Sequence, residues 1–235
     1  MNSITLNGVS STTITGLLIQ SLPPISKPLI RTQVEEIDGR DGDIVTKLGY
    51  SAYDKEVLIG LHGTYSVDQV IAFFDSEGKV IFSNESDKCY NYQILEQIDF
   101  EKLLRYRTAT VTFHVQPFKH PAVDDTVDQT YSSGDAKTLT VINTGNIYSK
   151  PRITIYGSGT INLSLNGIQA FAIALGDTAN ITIDVEQMEA FSGSLLRNRL
   201  VTGDYSNMEM PVGSNTLAWT GDVTEISVSN ISRWI

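Results

Sequence analysis

The sequence predicts a mainly β protein in two parts, an N-terminal β domain with one short packed helix and a C-terminal β-sandwich. Three observations carry that expectation. Apolar and polar residues alternate at period two along many short stretches. Gly, Asn, Asp and Pro punctuate those stretches at close spacing. A change of composition after Pro121 divides the chain, so the expected domains are 1–122 and 123–235.

Ile4-Thr5-Leu6-Asn7-Gly8 reads as the first strand. The residues before it carry no basic head or apolar run of a signal peptide, so folding in a cytoplasm is expected. Pro23, Pro24 and Pro28 then interrupt the run between Ile19 and Ile30 and mark an extended loop. Stretches 31–37 and 44–48 can pair as a long hairpin around Gly39-Arg40-Asp41-Gly42-Asp43, whose glycines tolerate positive φ. Neither flank is apolar enough to fill a core, so the region near 31–57 is expected to reach another subunit. Its candidate contact residues are Arg31, Glu35, Asp38, Arg40, Asp41 and Asp43. The same carboxylates do not make a calcium loop: their spacing is not 1, 3, 5 and no glutamate stands at the twelfth position.

Ser66 with Gln69 three residues on forms a capping box, and Asp68 suits the first turn of a helix. Val67, Val70, Ile71 and Phe74 then give one apolar stripe, expected to pack on a sheet. After the turn Ser76-Glu77-Gly78 comes the strand Lys79-Val80-Ile81-Phe82. In Thr110-Val111-Thr112-Phe113-His114-Val115-Gln116, Val111, Phe113 and Val115 point to one face, and Pro117 is expected to end the ladder. His114 falls on the polar face with no second ligand at i±2, which reads as a solvated or interface histidine.

Residues 122–128 are acidic and poor in core material, as a boundary should be. Beyond them, Ile161-Asn162-Leu163-Ser164-Leu165 and Ile168-Gln169-Ala170-Phe171 flank Asn166-Gly167, a strong hairpin signal. With 180–185 and 225–228 these strands read as a β-sandwich of galectin-like or jelly-roll-like type. Trp219 and Trp234, with Tyr156 and Phe171, are either core or interface anchors or a sugar-stacking platform.

The 17 Lys+Arg against 27 Asp+Glu give a net charge of -10, spread over both halves. Such a chain does not hold nucleic acid by neutralising phosphates. The lone Cys89 allows no intrachain disulfide and reads as a buried or half-buried thiol. With one Cys and three His, no metal site is expected. No phosphate-cradling loop, zinc-protease helix or Gly-x-Ser-x-Gly elbow is present, so no catalytic residue is named.

Several pieces occur in a telling order. They are the opening strand, Glu36-Ile37-Asp38-Gly39-Arg40-Asp41-Gly42, residues 100–104, and 106–118. Then follow Asn143-Thr144-Gly145, residues 146–159, Ile183-Asp184, Gly213-Ser214-Asn215 and Ser232-Arg233-Trp234. In this order the chain resembles the distal tail (hub) proteins of siphophages infecting Gram-positive bacteria. The resemblance implies a structural, non-enzymatic virion protein at the tail tip, without a cofactor. Its N-terminal domains would form a homohexameric ring joining the tail tube protein to the tail-tip protein. Its C-terminal sandwiches would be a platform for receptor-binding or other baseplate proteins. DNA would pass the ring without specific binding, past an acidic lumen, and no membrane is involved. The alternative is a carbohydrate-binding host-attachment module using the C-terminal sandwich, with Trp219 and Trp234 as contacts.

Overall fold

In the computed structural model, which describes residues 1–132 and 134–235, the chain divides into two units, Met1–Ala122 and Val123–Trp234. The first contains β1 (Ile4–Leu6), β2 (Val9–Ser10), β3 (Leu17–Ser21), β4 (Ile30–Glu36), β5 (Asp43–Tyr50) and β6 (Tyr53–Leu61). Helix α1 (Val67–Phe74), β7 (Gly78–Phe82), β8 (Lys88–Gln93), α2 (Phe100–Tyr106) and β9 (Thr108–Pro121) complete it. Seven strands form one antiparallel sheet in the order β2-β1-β7-β8-β9-β6-β3, while β4 and β5 pair as a separate two-stranded sheet.

The core of this sheet follows the predicted alternation. Val111, Phe113 and Val115 are fully buried. Around Phe113 stand Tyr92, Phe82 and Phe74, with ring centroids 5.3, 5.8 and 6.4 Å away in edge-to-face arrangements. Helix α1 covers this cluster with Val70, Phe73 and Phe74, and Ser66 caps it by accepting the Gln69 N–H. The stripe is thus rotated from the expected one: Phe73 is buried and Ile71 is exposed. The large ring of Phe73 gains more from burial than the smaller Ile71 side chain at the edge of the stripe.

Two further expectations are corrected. The unit holds a second helix, α2, which the reading of a single helix missed; Asp99 caps it by accepting the Lys102 N–H at 2.7 Å. And Pro117 does not end its strand, because β9 runs on to Pro121. The register against β8 shifts there, from Val115↔Tyr92 to Lys119↔Tyr90. A proline inside that irregularity withholds no ladder hydrogen bond.

The second unit contains β10 (Val127–Thr130), β11 (Thr138–Asn143), β12 (Arg152–Leu165), β13 (Ile168–Ala174) and β14 (Asn180–Asp184). After these come β15 (Glu189–Ser192), β16 (Leu195–Leu196), β17 (Val201–Gly203) and β18 (Gly213–Ser229). Their pairing is continuous but curled. The long strands β12 and β18 pair from Arg152↔Ser229 to Leu165↔Leu217 with register shifts near Tyr156 and Ser158. The two halves of β12 take different partners on its other edge, β14 beside Arg152–Tyr156 and β13 beside Thr160–Leu165. The corner needs glycine: a Cβ at Gly157 would overlap the Asp222 carbonyl, and one at Gly221, where φ is +97°, the Thr160 carbonyl. Folding the sheet over itself buries Ile153, Ile155, Ile161, Leu163, Phe171, Ile183, Trp219 and Ile226 in one core. The Asn166-Gly167 turn has φ of 50° and 86°, the signature of a two-residue I′ hairpin between β12 and β13.

Candidate functional site

The hairpin of β4 and β5 is the element that the core does not explain. Its strands pair from Ile30↔Tyr50 to Glu36↔Asp43, with a bulge at Arg31/Thr32. An isolated two-stranded ribbon is marginal in water, and this one is exposed along most of its length. Val34, Ile37, Val45 and Leu48 each leave roughly half or more of their surface in solvent, as does Ile25 in the loop leading in, and Leu29 there is 72% exposed. All six residues read from the sequence as contacts lie on this arm and are exposed: Arg31 and Glu35 on β4, Asp38, Arg40 and Asp41 in the turn, and Asp43 opening β5.

The arm is exposed along its strands but rooted at its base. At its base the Ser51 N–H donates to the Leu29 carbonyl at 2.9 Å, and Tyr50 meets Phe118 edge to face. The preceding proline loop is pinned by three side chains. Lys55 Nζ donates to the Pro24 carbonyl at 2.9 Å, Asn84 Nδ2 to the Pro23 carbonyl at 2.9 Å, and Tyr53 Oη to the Ser26 carbonyl. Lys55 is buried and lies against the rings of Tyr90, Tyr53 and Phe82. That burial pushes its ammonium below the usual lysine pKa, with the Glu85 carboxylate opposing. Glu85 also accepts from Tyr90 Oη and from Lys119 Nζ, both at 2.6 Å. Burial, with the anion of Glu85 beside it, drives the Tyr90 phenol far above its ordinary range. This network was not read from the sequence, because its members are spread over four strands and loops and only the fold unites them.

The tryptophan candidates are placed differently. Trp219 is 4% exposed and packs edge to face on Tyr131 with centroids 4.7 Å apart; Phe171 is fully buried. Tyr156 alone of the proposed platform shows a substantial open face, at 37%, and Trp234 is half-buried. The geometry therefore assembles no stacking platform from Trp219, Phe171 and Tyr156. His114 sits across from Asp54, its Nδ1 2.7 Å from the carboxylate, and Cys89 is buried with its thiol donating to the Pro121 carbonyl. Among the described residues no three of His, Cys, Asp or Glu come together as a metal site, and no helix is long and apolar enough to cross a membrane.

A second exposed feature was missed in the sequence. The last turn of α2 and the residue after it, Leu104-Arg105-Tyr106-Arg107, are all exposed. Arg105 lies over the Tyr106 ring and Arg107 over Tyr65, at 5.5 and 4.6 Å from the centroids. The Asp99 cap and the run Phe100-Glu101-Lys102-Leu103-Leu104 are the sequence signal that could have revealed it.

No family model matches the chain, and no curated protein matches it in sequence. Solved structures do match. Over 100% of both chains, the structure is similar to that of the SPP1 Dit protein, described as a paradigm of the hub adsorption apparatus in phages infecting Gram-positive bacteria, with a TM-score of 0.64 and 15% identity. It is also similar to a chain of the phage P2 baseplate in its activated conformation with Ca, at a TM-score of 0.50 and 10% identity, over 100% of this chain and 98% of the other. The mainly β fold is thus that of a Dit hub protein.

Proposed function

We propose that this chain is a structural hub protein of a phage tail tip, part of the apparatus by which the particle adsorbs to its host. The observation that carries the reading is the end-to-end likeness of fold to a hub protein, in a chain with an exposed, rooted arm. In this reading the Met1–Ala122 units join head to tail into a closed ring of six, the hexamer that the family resemblance implies. A heterologous contact closes only if each copy offers two different surfaces. The ring links the tail tube protein to the tail-tip protein, and the Val123–Trp234 units offer attachment sites for receptor-binding or other baseplate proteins. The role is mechanical, without catalysis.

The net charge of -10 per copy fits a ring through which DNA travels without adhering, since phosphates within about 8–10 Å of an acidic wall are repelled. A basic or neutral lumen in a ring reconstruction would remove that part of the reading. The assembly itself is tested by light scattering coupled to size exclusion over a concentration series, followed by negative-stain imaging. Six-fold rings are the expected result. A chain that stays monomeric, and that also fails to join tail tubes or tail-tip protein when co-expressed with them, is not a hub.

A further inference from the structure

On the hairpin, Val34 and Val45 are directly opposed, and two residues along both strands Glu36 faces Asp43. Period two puts both pairs on one face of the ribbon. Carboxylates directly opposite one another destabilise a two-stranded sheet, and neither of these has an ion-pair partner among the described residues. The face is an apolar step, 53% and 61% exposed, beside an uncompensated acidic one.

Helix α2 and the residue after it carry the complement. In a chain of net charge -10, Lys102, Arg105 and Arg107 fall within six residues and are all exposed. Neither Lys102 nor Arg105 has a carboxylate partner among the described residues. On the same side of the helix stands Tyr106, 62% exposed. Arg107 holds a left-handed φ of 62° at the helix end, a place glycine would fill with less strain. Spacing agrees as well: two strand residues span about 6.6 Å, and the four-residue step from Lys102 to Tyr106 rises about 6 Å.

We propose that the hairpin of one copy docks on the exposed face of α2 of the next, Val34 and Val45 against Tyr106, Glu36 and Asp43 against Lys102 and Arg105, three residues that share one side of the helix. This rests on the self-assembling reading above and names the two surfaces that meet. Each copy then carries one arm and one acceptor, the heterologous pair that a ring requires.

Charge reversal in the full chain tests it. The paired substitutions Glu36→Lys/Asp43→Lys, and separately Lys102→Glu/Arg105→Glu, are each expected to weaken self-association about tenfold or more in the scattering series. All four together should restore it to within about threefold of the native chain. These side chains are exposed, so unchanged thermal unfolding serves as the folding control. Reversals without effect, or a combination weaker than either pair, overturn the docking while leaving any native ring in place. A native chain that never self-associates overturns it too, and the hub reading then stands or falls on incorporation into tail tips. If the Lys102→Glu/Arg105→Glu variant loses duplex DNA binding with self-association intact, the basic turn serves nucleic acid and the docking is wrong.

Discussion

Phe113 shows how much a single residue decides in the N-terminal unit. Its ring touches those of Phe74, Phe82 and Tyr92, so it fastens α1 to the sheet and β7 to β9. Phe113→Ala should destabilise that unit by about 3–5 kcal/mol, read from urea unfolding followed by tyrosine fluorescence. The burial of Phe113 was legible in the sequence because alternation along one strand is a local signal. The partners of Lys55 and Glu85 were not, since no local pattern joins residues on β6, β8 and β9. Tyr90 offers a test of that network. Its folded-state pKa lies above the ordinary tyrosine value of about 10, so above that pH the unfolded chain releases a proton that the folded one keeps. Stability therefore falls as pH rises past 10, and is unaffected by this group below it. Tyr90→Phe should cost about 1.5–3 kcal/mol at pH 7, through the lost hydrogen bond to a carboxylate. Its alkaline loss of stability should be shallower than that of the native chain, measured as unfolding midpoints from pH 8 to 11.

At the scale of elements, the hairpin β4–β5 and the corner of β12 and β18 behave oppositely. The hairpin has few buried contacts, and its amides should exchange with deuterium far faster than those of β8 and β9 in the dissociated chain. If the chain self-assembles as proposed, the same amides should become protected on assembly; equal exchange before and after assembly would show that the arm is not part of the contact. The corner is rigid by construction. Gly221→Ala forces a left-handed alanine against the Thr160 carbonyl and should cost at least about 1–3 kcal/mol. Hairpins were the elements most legible beforehand. Asn166-Gly167 and the glycine-rich turn at 39–42 announce themselves by turn chemistry. Helix α2 escaped because seven residues give barely two turns of periodicity. The corner escaped because Gly157 and Gly221 are 64 positions apart and acquire meaning only when their strands meet.

For the whole molecule, the decisive feature is that each unit has a closed core of its own, one centred on Phe113 and one on Ile155, Leu163 and Phe171. Cooperativity follows shared burial, so unfolding energy lost in one core need not be felt by the other. The chain should therefore melt in two separable steps in calorimetry. Phe113→Ala should move one step and leave the other within about 0.5 kcal/mol, while Gly221→Ala should do the reverse. The boundary expected after Pro121 rests on composition, because the acidic stretch 122–128 offers little to bury. A single transition displaced equally by both substitutions would show that the two cores are energetically one. In that case a load on the C-terminal units would be felt by any ring built from the N-terminal ones. Two independent transitions would let those units be pulled, or even lost, while the ring remained closed.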